Sequence, residues 1–200
     1  MRGCLRERTA MRPPYRSCRR SCLRYARAMA FRILVVCTAN VCRSPLAAGL
    51  LRRRLDSGAF VVESAGIRAL DGGRTDANVV QRLTRRGIHL PDLAARQLTP
   101  DIARQADLIL TATRDHRGDV LEVFPGALRR TFTLLEFAAL APRVGANGPA
   151  DLVRGAAMMR SDGPQDVDIE DPIGRSDDVH DAVARQIEEA VDTIAKNLAP

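Results

Sequence analysis

A short, largely apolar and β-branched run, Phe31 to Val36, passes through a loop into a helical pattern with leucines at 46, 50, 51 and 55. Phe-Arg-Ile-Leu-Val-Val is the composition of a buried parallel strand. The leucine spacing places one apolar face on a helix, which Asp56-Ser57-Gly58 ends. A buried strand that feeds a helix is the opening of a βαβ unit, and it commits the chain to a parallel sheet covered by helices.

The same alternation continues. Phe60 to Ser64 reads as a second strand. Thr75 to Arg86 reads as a helix with Val79, Val80 and Leu83 inward and Gly87 as its stop. Asp107 to Thr111 is a third strand and Thr131 to Leu134 a shorter fourth. Val179 to Leu198 is a closing helix with its stripe at Val183, Ile187, Val191, Ile194 and Leu198. Between 141 and 167 the pattern weakens, and Gly and Pro surround one short helix, Ala150 to Arg160. This segment reads as a loop or insertion. Residues 30–200 are expected to form a single domain.

Charge separates the first 29 residues from the rest. They carry nine arginines and one acid, so +8, which leaves 22 basic and 23 acidic side chains beyond them, so −1. The high isoelectric point therefore belongs to the basic stretch, and nothing in the remaining balance calls for a nucleic-acid partner. The stretch has no apolar run of secretory length, and its Arg-rich, acid-poor character resembles a transit peptide. Met29-Ala30-Phe31-Arg32 sits directly before the strand, so 1–29 reads as a disordered basic tail or an upstream start. A basic arm for a membrane surface or nucleic acid is the alternative. No stretch approaches the ~20 apolar residues of a membrane span. Three of five cysteines lie in the tail, and Cys18 and Cys22 lack partners at zinc-site spacing. The rest is not a disulfide scaffold, and a reducing cytoplasm is the expected location.

Residues 37–44, Cys-Thr-Ala-Asn-Val-Cys-Arg-Ser, lie where the first strand ends and the helix begins. Ligands of open α/β sheets bind beyond the carboxyl ends of strands, and a helix start presents unpaired N–H groups and a positive dipole end. No residue from 38 to 43 is proline, so each keeps its N–H. Pro45 stands where early-helix geometry tolerates it. Nucleotide loops of the Gly-x-x-x-x-Gly-Lys or Gly-x-Gly-x-x-Gly kind are absent. In their place stand a thiol and, six residues on, a guanidinium. Cysteines in such a field reach pKa values of roughly 3.5–7.5 against ~8.5 when free, so Cys37 is expected to favour thiolate. A thiolate beneath a bound phosphate is an in-line nucleophile. Arg43 can grip two phosphate oxygens bidentately.

This stretch resembles the Cys-x5-Arg-Ser/Thr signature of low molecular weight protein tyrosine phosphatases. So do "ESAGI" (63–67), "RRGIHLPDLAARQLT" (85–99), "DLILTATRDHR" (107–117) and "FTLLEFAAL" (132–140). The resemblance covers about 31–140 and 165–198. It implies an α/β fold, a three-layer open sheet of four parallel strands in the order 2-1-3-4 with helices on both faces. It implies a cysteinyl-phosphate route without cofactor or metal. Phosphate would be held by Thr38, Ala39, Asn40, Val41, Cys42, Arg43 and Ser44. The substrate would be a phosphotyrosine protein, with a tyrosine kinase as possible partner. The general acid, then base, is expected in an Asp-Pro motif before the last helix. Asp171-Pro172 stands there, ahead of Asp168 and Glu170.

The departures concern specificity. Ile173 and Gly174 follow the Asp-Pro where phosphotyrosine-preferring members often carry aromatics, and Leu93 replaces a histidine that supports the loop asparagine. Thioredoxin-coupled arsenate reductases share the loop but need two more cysteines, and none follows Cys42. Protein arginine phosphatases carry threonine four residues after the nucleophile, where this chain has Val41. A non-catalytic phosphate-binding or redox-sensing module is the remaining alternative, though Cys37, Arg43 and Asp171 are all present. Cys42 reads either as a redox partner of Cys37 or as a small apolar filler. His89, His116 and His180 lack zinc-ligand spacing and read as surface or structural.

Overall fold

The computed structural model describes residues 30–89 and 94–199. The expected basic tail and Leu93 lie outside the described residues. Four parallel strands form one sheet in the order β2-β1-β3-β4, with β1 Phe31–Cys37, β2 Phe60–Gly66, β3 Leu108–Thr111 and β4 Thr131–Thr133. β1 sits centrally, with Val35 opposite Ser64 on one side and Leu110 on the other.

Side chains of a strand alternate between faces, and here the alternation builds two cores. Ile33, Val35, Leu108 and Leu110 face one side. Helices α1 (Arg43–Arg54) and α7 (Asp177–Leu198) cover that side with Leu46, Leu50, Leu51, Ile187, Val191 and Ile194. Leu34, Val36 and Ile109 face the other side, under α3 (Pro100–Gln105) and α4 (Arg114–Val123), through Ala103 and Val120. The result is the expected three-layer sheet, and the five stripe residues of α7 are all buried.

Helix α2, Ala77–Arg85, ends as expected at Gly87, whose φ is +69°. Ile88 N–H reaches back to Leu83 O and Gly87 N–H to Thr84 O, which satisfies two last-turn carbonyls. Val80 is a correction. Of the three expected inward, Val79 and Leu83 are buried and Val80 is exposed, because adjacent positions on a helix diverge by about 100°.

Helices α3, α4 and α5 (Leu134–Leu140) go beyond the sequence pattern, and each begins at a threonine cap. At α5 the Thr133 side chain and the Glu136 carboxylate cap each other's backbone N–H, so β4 turns into a helix without a loop.

Residues 141–167 hold helix α6, Pro149–Met158, close to the expected short helix. Its Leu152, Val153 and Ala156 belong to the core shared with α7. Leu152→Ala is expected to cost about 2–5 kcal/mol, as for other fully buried leucines. Chemical denaturation would measure it, and a loss below about 0.5 kcal/mol would make this segment peripheral.

Candidate active site

β1 delivers Cys37 to its carboxyl end, where the thiol is buried, and α1 begins six residues later with Arg43. Between them the N–H groups of Thr38 to Cys42 donate to no other group among the described residues. Such a row of free donors at a helix start is an anion nest.

The loop's curvature rests on Asn40, whose φ of +57° is left-handed, a region that asparagine tolerates better than most residues. Its side chain is fully engaged. Nδ2 donates to Ser44 Oγ at 3.0 Å and Ser64 Oγ at 2.9 Å, and Oδ1 accepts Arg96 N–H at 3.1 Å. Ser44 Oγ in turn lies 3.0 Å from Cys37 Sγ. The Ser44 hydroxyl thus faces the sulfur and the asparagine.

Gly66, at the end of β2, allows the loop to pass close. A Cβ there would stand 2.6 Å from Thr38 O and 2.9 Å from the Ala39 carbonyl carbon. The next two N–H groups, of Ile67 and Arg68, bind Cys37 O and Thr38 O. The loop is therefore fixed by backbone as well as by Asn40.

Arg43 is buried, and its guanidinium ties three parts of the chain together. Nη1 donates to Ile169 O at 3.1 Å. Nη2 donates to Thr38 Oγ1 at 3.3 Å and to Asp171 Oδ2 at 2.6 Å, and Nε is buried without a partner. Asp171 is half-exposed, and its other oxygen accepts Ile173 N–H. Gly174, at φ +74°, makes the turn from Pro172 to Arg175 that returns the chain toward α7.

The other two acids near Asp171 face elsewhere. Asp168 takes three hydrogen bonds from Arg114. Burial pushes its carboxyl up, but those bonds outweigh it and hold the pKa below the usual range. Glu170 pairs with Arg175.

His116 is a correction to the surface-or-structural reading. It is buried in the wall of the site, with Nε2 2.8 Å from Thr38 Oγ1 and Nδ1 2.7 Å from Thr113 Oγ1. Burial, then the charge of Arg43, lowers its pKa, so the ring is held neutral near pH 7. The only sequence signal was Thr113 three residues before it, which caps α4. Ser64 and Arg96 also escaped notice, because they reach the loop from distant segments.

An open cleft of about 380 Å³ lies over the loop, lined by Thr38, Arg43, Ile67, Arg68, His116 and Asp171, with Asp115 and Asp119 at its rim. Cys42 takes no part in that lining. It packs with Leu46, Val79 and His180 in a separate small cavity, and Val41 packs against the main core. Burial, then the nearby Asp76 charge, pushes the Cys42 thiol up to about 12. Both loop thiols are free.

The model of the low molecular weight phosphotyrosine protein phosphatase family matches residues 32–148, more than half of the chain. The chain belongs to this family. A low molecular weight protein-tyrosine-phosphatase of Escherichia coli, Etp, is 32% identical over 167 residues, which span 84% of this chain and 94% of that one. A protein-arginine-phosphatase of Geobacillus stearothermophilus is 32% identical over 170 residues, 85% of this chain and 97% of that one. The crystal structure of the Erwinia amylovora tyrosine phosphatase AmsI superposes with a TM-score of 0.67 at 28% identity, covering 86% and 95% of the two chains. The chain is thus a member of a hydrolase family, and its four-stranded sheet is that family's fold. Among the described residues, no helix is long and apolar enough to cross a membrane.

Proposed function

We propose that this chain hydrolyses phosphotyrosine in proteins through a phosphate ester of Cys37. One observation carries the reading: Arg43 holds Asp171 at 2.6 Å over the loop that contains Cys37. A salt bridge alone is a weak argument for function. This one joins a buried thiol, an unpaired donor row and an acid 128 positions away in sequence.

The phosphate sits on the N–H groups of Thr38 to Cys42 and takes hydrogen bonds from Arg43 Nε and Nη2. Nε has no other partner, and Nη2 is shared with Asp171 in the free enzyme. Substrate therefore competes with Asp171 for the guanidinium and releases the carboxyl toward the leaving oxygen. Cys37 Sγ attacks phosphorus as the P–O bond to the aryl group breaks. Once released from Arg43, the Asp171 carboxylate takes a proton from solvent, gives it to the phenolate, then takes one from the water that cleaves the S–P bond. Ser44 Oγ stays with the sulfur and stabilises it as the leaving group in the second step. No step calls on a metal or cofactor.

Val41 and the cleft's apolar Ile67 favour an aryl substrate over phosphoarginine. A panel of phosphotyrosine, phosphoserine and phosphoarginine peptides tests this directly. Phosphotyrosine is expected to give the highest kcat/KM, and faster turnover of phosphoarginine would transfer the chain to the other branch. The reading extends to a cytoplasmic protein whose substrates include a tyrosine kinase. Cys42 is proposed as the partner of Cys37 in a reversible disulfide, formed when peroxide oxidises the Cys37 thiolate to a sulfenic acid that condenses with Cys42 and releases water. Peptide mapping after peroxide should recover that bridge; sulfinic Cys37 alone would remove the role.

A further inference from the structure

The loop that carries Cys37 also contributes to a second cluster. Cys42 Sγ, a carboxylate oxygen of Asp76 and a ring nitrogen of His180 all lie within 4.8 Å of one another. They come from three helix starts: Cys42 is the cap of α1, Asp76 the cap of α2, and His180 stands in the first turn of α7. Their separations along the chain, 34 and 104 residues, match no zinc-ligand spacing. Only the fold brings them together.

Each donor keeps a lone pair that no hydrogen bond among the described residues takes. His180 is a buried residue, and its ring nitrogens take part in no hydrogen bond among the described residues. Cys42 offers no side-chain hydrogen bond to the helix it caps. Asp76 uses Oδ1 to accept Asn78 N–H, and its other oxygen accepts no hydrogen bond among the described residues. Cys42 and His180 line a cavity of about 10 Å³, room for one small ion or at most one water; Arg43 and Arg82 share its wall, and Asp76 stands outside that lining.

The charged neighbours do not block it. Arg82 lines the same cavity, but its Nε and Nη2 are held by Asp181 at 3.0 and 2.6 Å. Arg43 is held by Asp171 and Ile169 O. Asp177 and Asp178 offset the positive end of α7. Sulfur, imidazole and carboxylate together are a zinc donor set, with a fourth position left for water. Ligand atoms about 2.0–2.3 Å from a tetrahedral ion stand roughly 3.3–3.7 Å apart, so closure takes side-chain shifts of about an ångström.

We propose that Cys42, Asp76 and His180 bind one divalent cation of the zinc class, which ties the phosphate loop to α2 and α7. The thiol proton leaves to solvent as the metal–sulfur bond forms, and nothing is oxidised or reduced. The site does not depend on the proposed phosphatase reaction, and either can fail without the other.

Cobalt and zinc ions are the probes, in the full chain with Cys4, Cys18, Cys22 and Cys37 changed to serine. Cys42 is then the only thiol. One cobalt per chain is expected, with a near-ultraviolet thiolate charge-transfer band that zinc abolishes. His180→Gln and Asp76→Asn, each checked for native circular dichroism, are expected to weaken cobalt binding by more than about tenfold. Should either variant unfold, zinc K-edge absorption of the site-intact protein still decides, and it is expected to show one sulfur with nitrogen and oxygen neighbours. A missing charge-transfer band, cobalt affinity unchanged in both folded variants, or a zinc shell without sulfur would each overturn the proposal.

Discussion

Cys37→Ser is expected to lower turnover of p-nitrophenyl phosphate by about 10⁴-fold or more, the scale seen when a nucleophile is removed from a catalytic unit that acts together. A drop of 10⁴ is about 5.4 kcal/mol of transition-state stabilisation. The change leaves the anion nest in place, since the donors are the N–H groups of Thr38 to Cys42 and the guanidinium of Arg43. Serine Oγ is smaller than sulfur and adds no charge, so phosphate or vanadate binding should survive within about an order of magnitude. The pair of results matters more than either alone. Loss of both binding and turnover would indicate a collapsed loop, and turnover that persists would move the nucleophile elsewhere.

Asp171→Ala is expected to slow phosphorylation of the enzyme by about 10²–10⁴ for phosphotyrosine, the usual worth of a positioned acid. For p-nitrophenyl phosphate the loss in that step should be far smaller, because nitrophenolate leaves without a proton. The substitution also removes the 2.6 Å bond from Arg43 Nη2 to Asp171 Oδ2 and leaves Nη2 only its contact with Thr38 Oγ1 among the described residues. Asp171→Asn controls for this, since the amide oxygen can still accept from Arg43 but the side chain cannot supply a proton. Equal losses across leaving groups in pre-steady-state bursts would deny Asp171 the role of acid. Asp168 and Glu170 would be poor replacements, since Arg114 and Arg175 occupy them.

The elements most legible in sequence were those long enough to show their period. β1 and α7 carry unbroken patterns, and both lie at the centre of the packing. Helices α3 and α5 have six and seven residues, fewer than two full turns, so no apolar stripe repeats. Their threonine caps were the available signal. Val80 misled because Val79 and Val80 are both apolar, and only packing chooses between neighbours around a helix. In the site, Cys37 and Arg43 could be read because the loop is contiguous, and Asp171 because the family resemblance places the acid in an Asp-Pro motif before the last helix. His116, Ser64 and Arg96 could not, since their roles consist of contacts with Thr38 and Asn40 that exist only after the sheet forms. Gly66 is of the same kind: its lack of a side chain has meaning only where the loop crosses it.

The central claim is a covalent phosphate on Cys37, and rapid quenching during turnover of phosphorus-labelled aryl phosphate tests it most directly. Label is expected in the peptide that contains Cys37, approaching one per chain as substrate saturates, and absent from Cys37→Ser. Full turnover with no protein-bound label, or label on any other residue, would contradict the account.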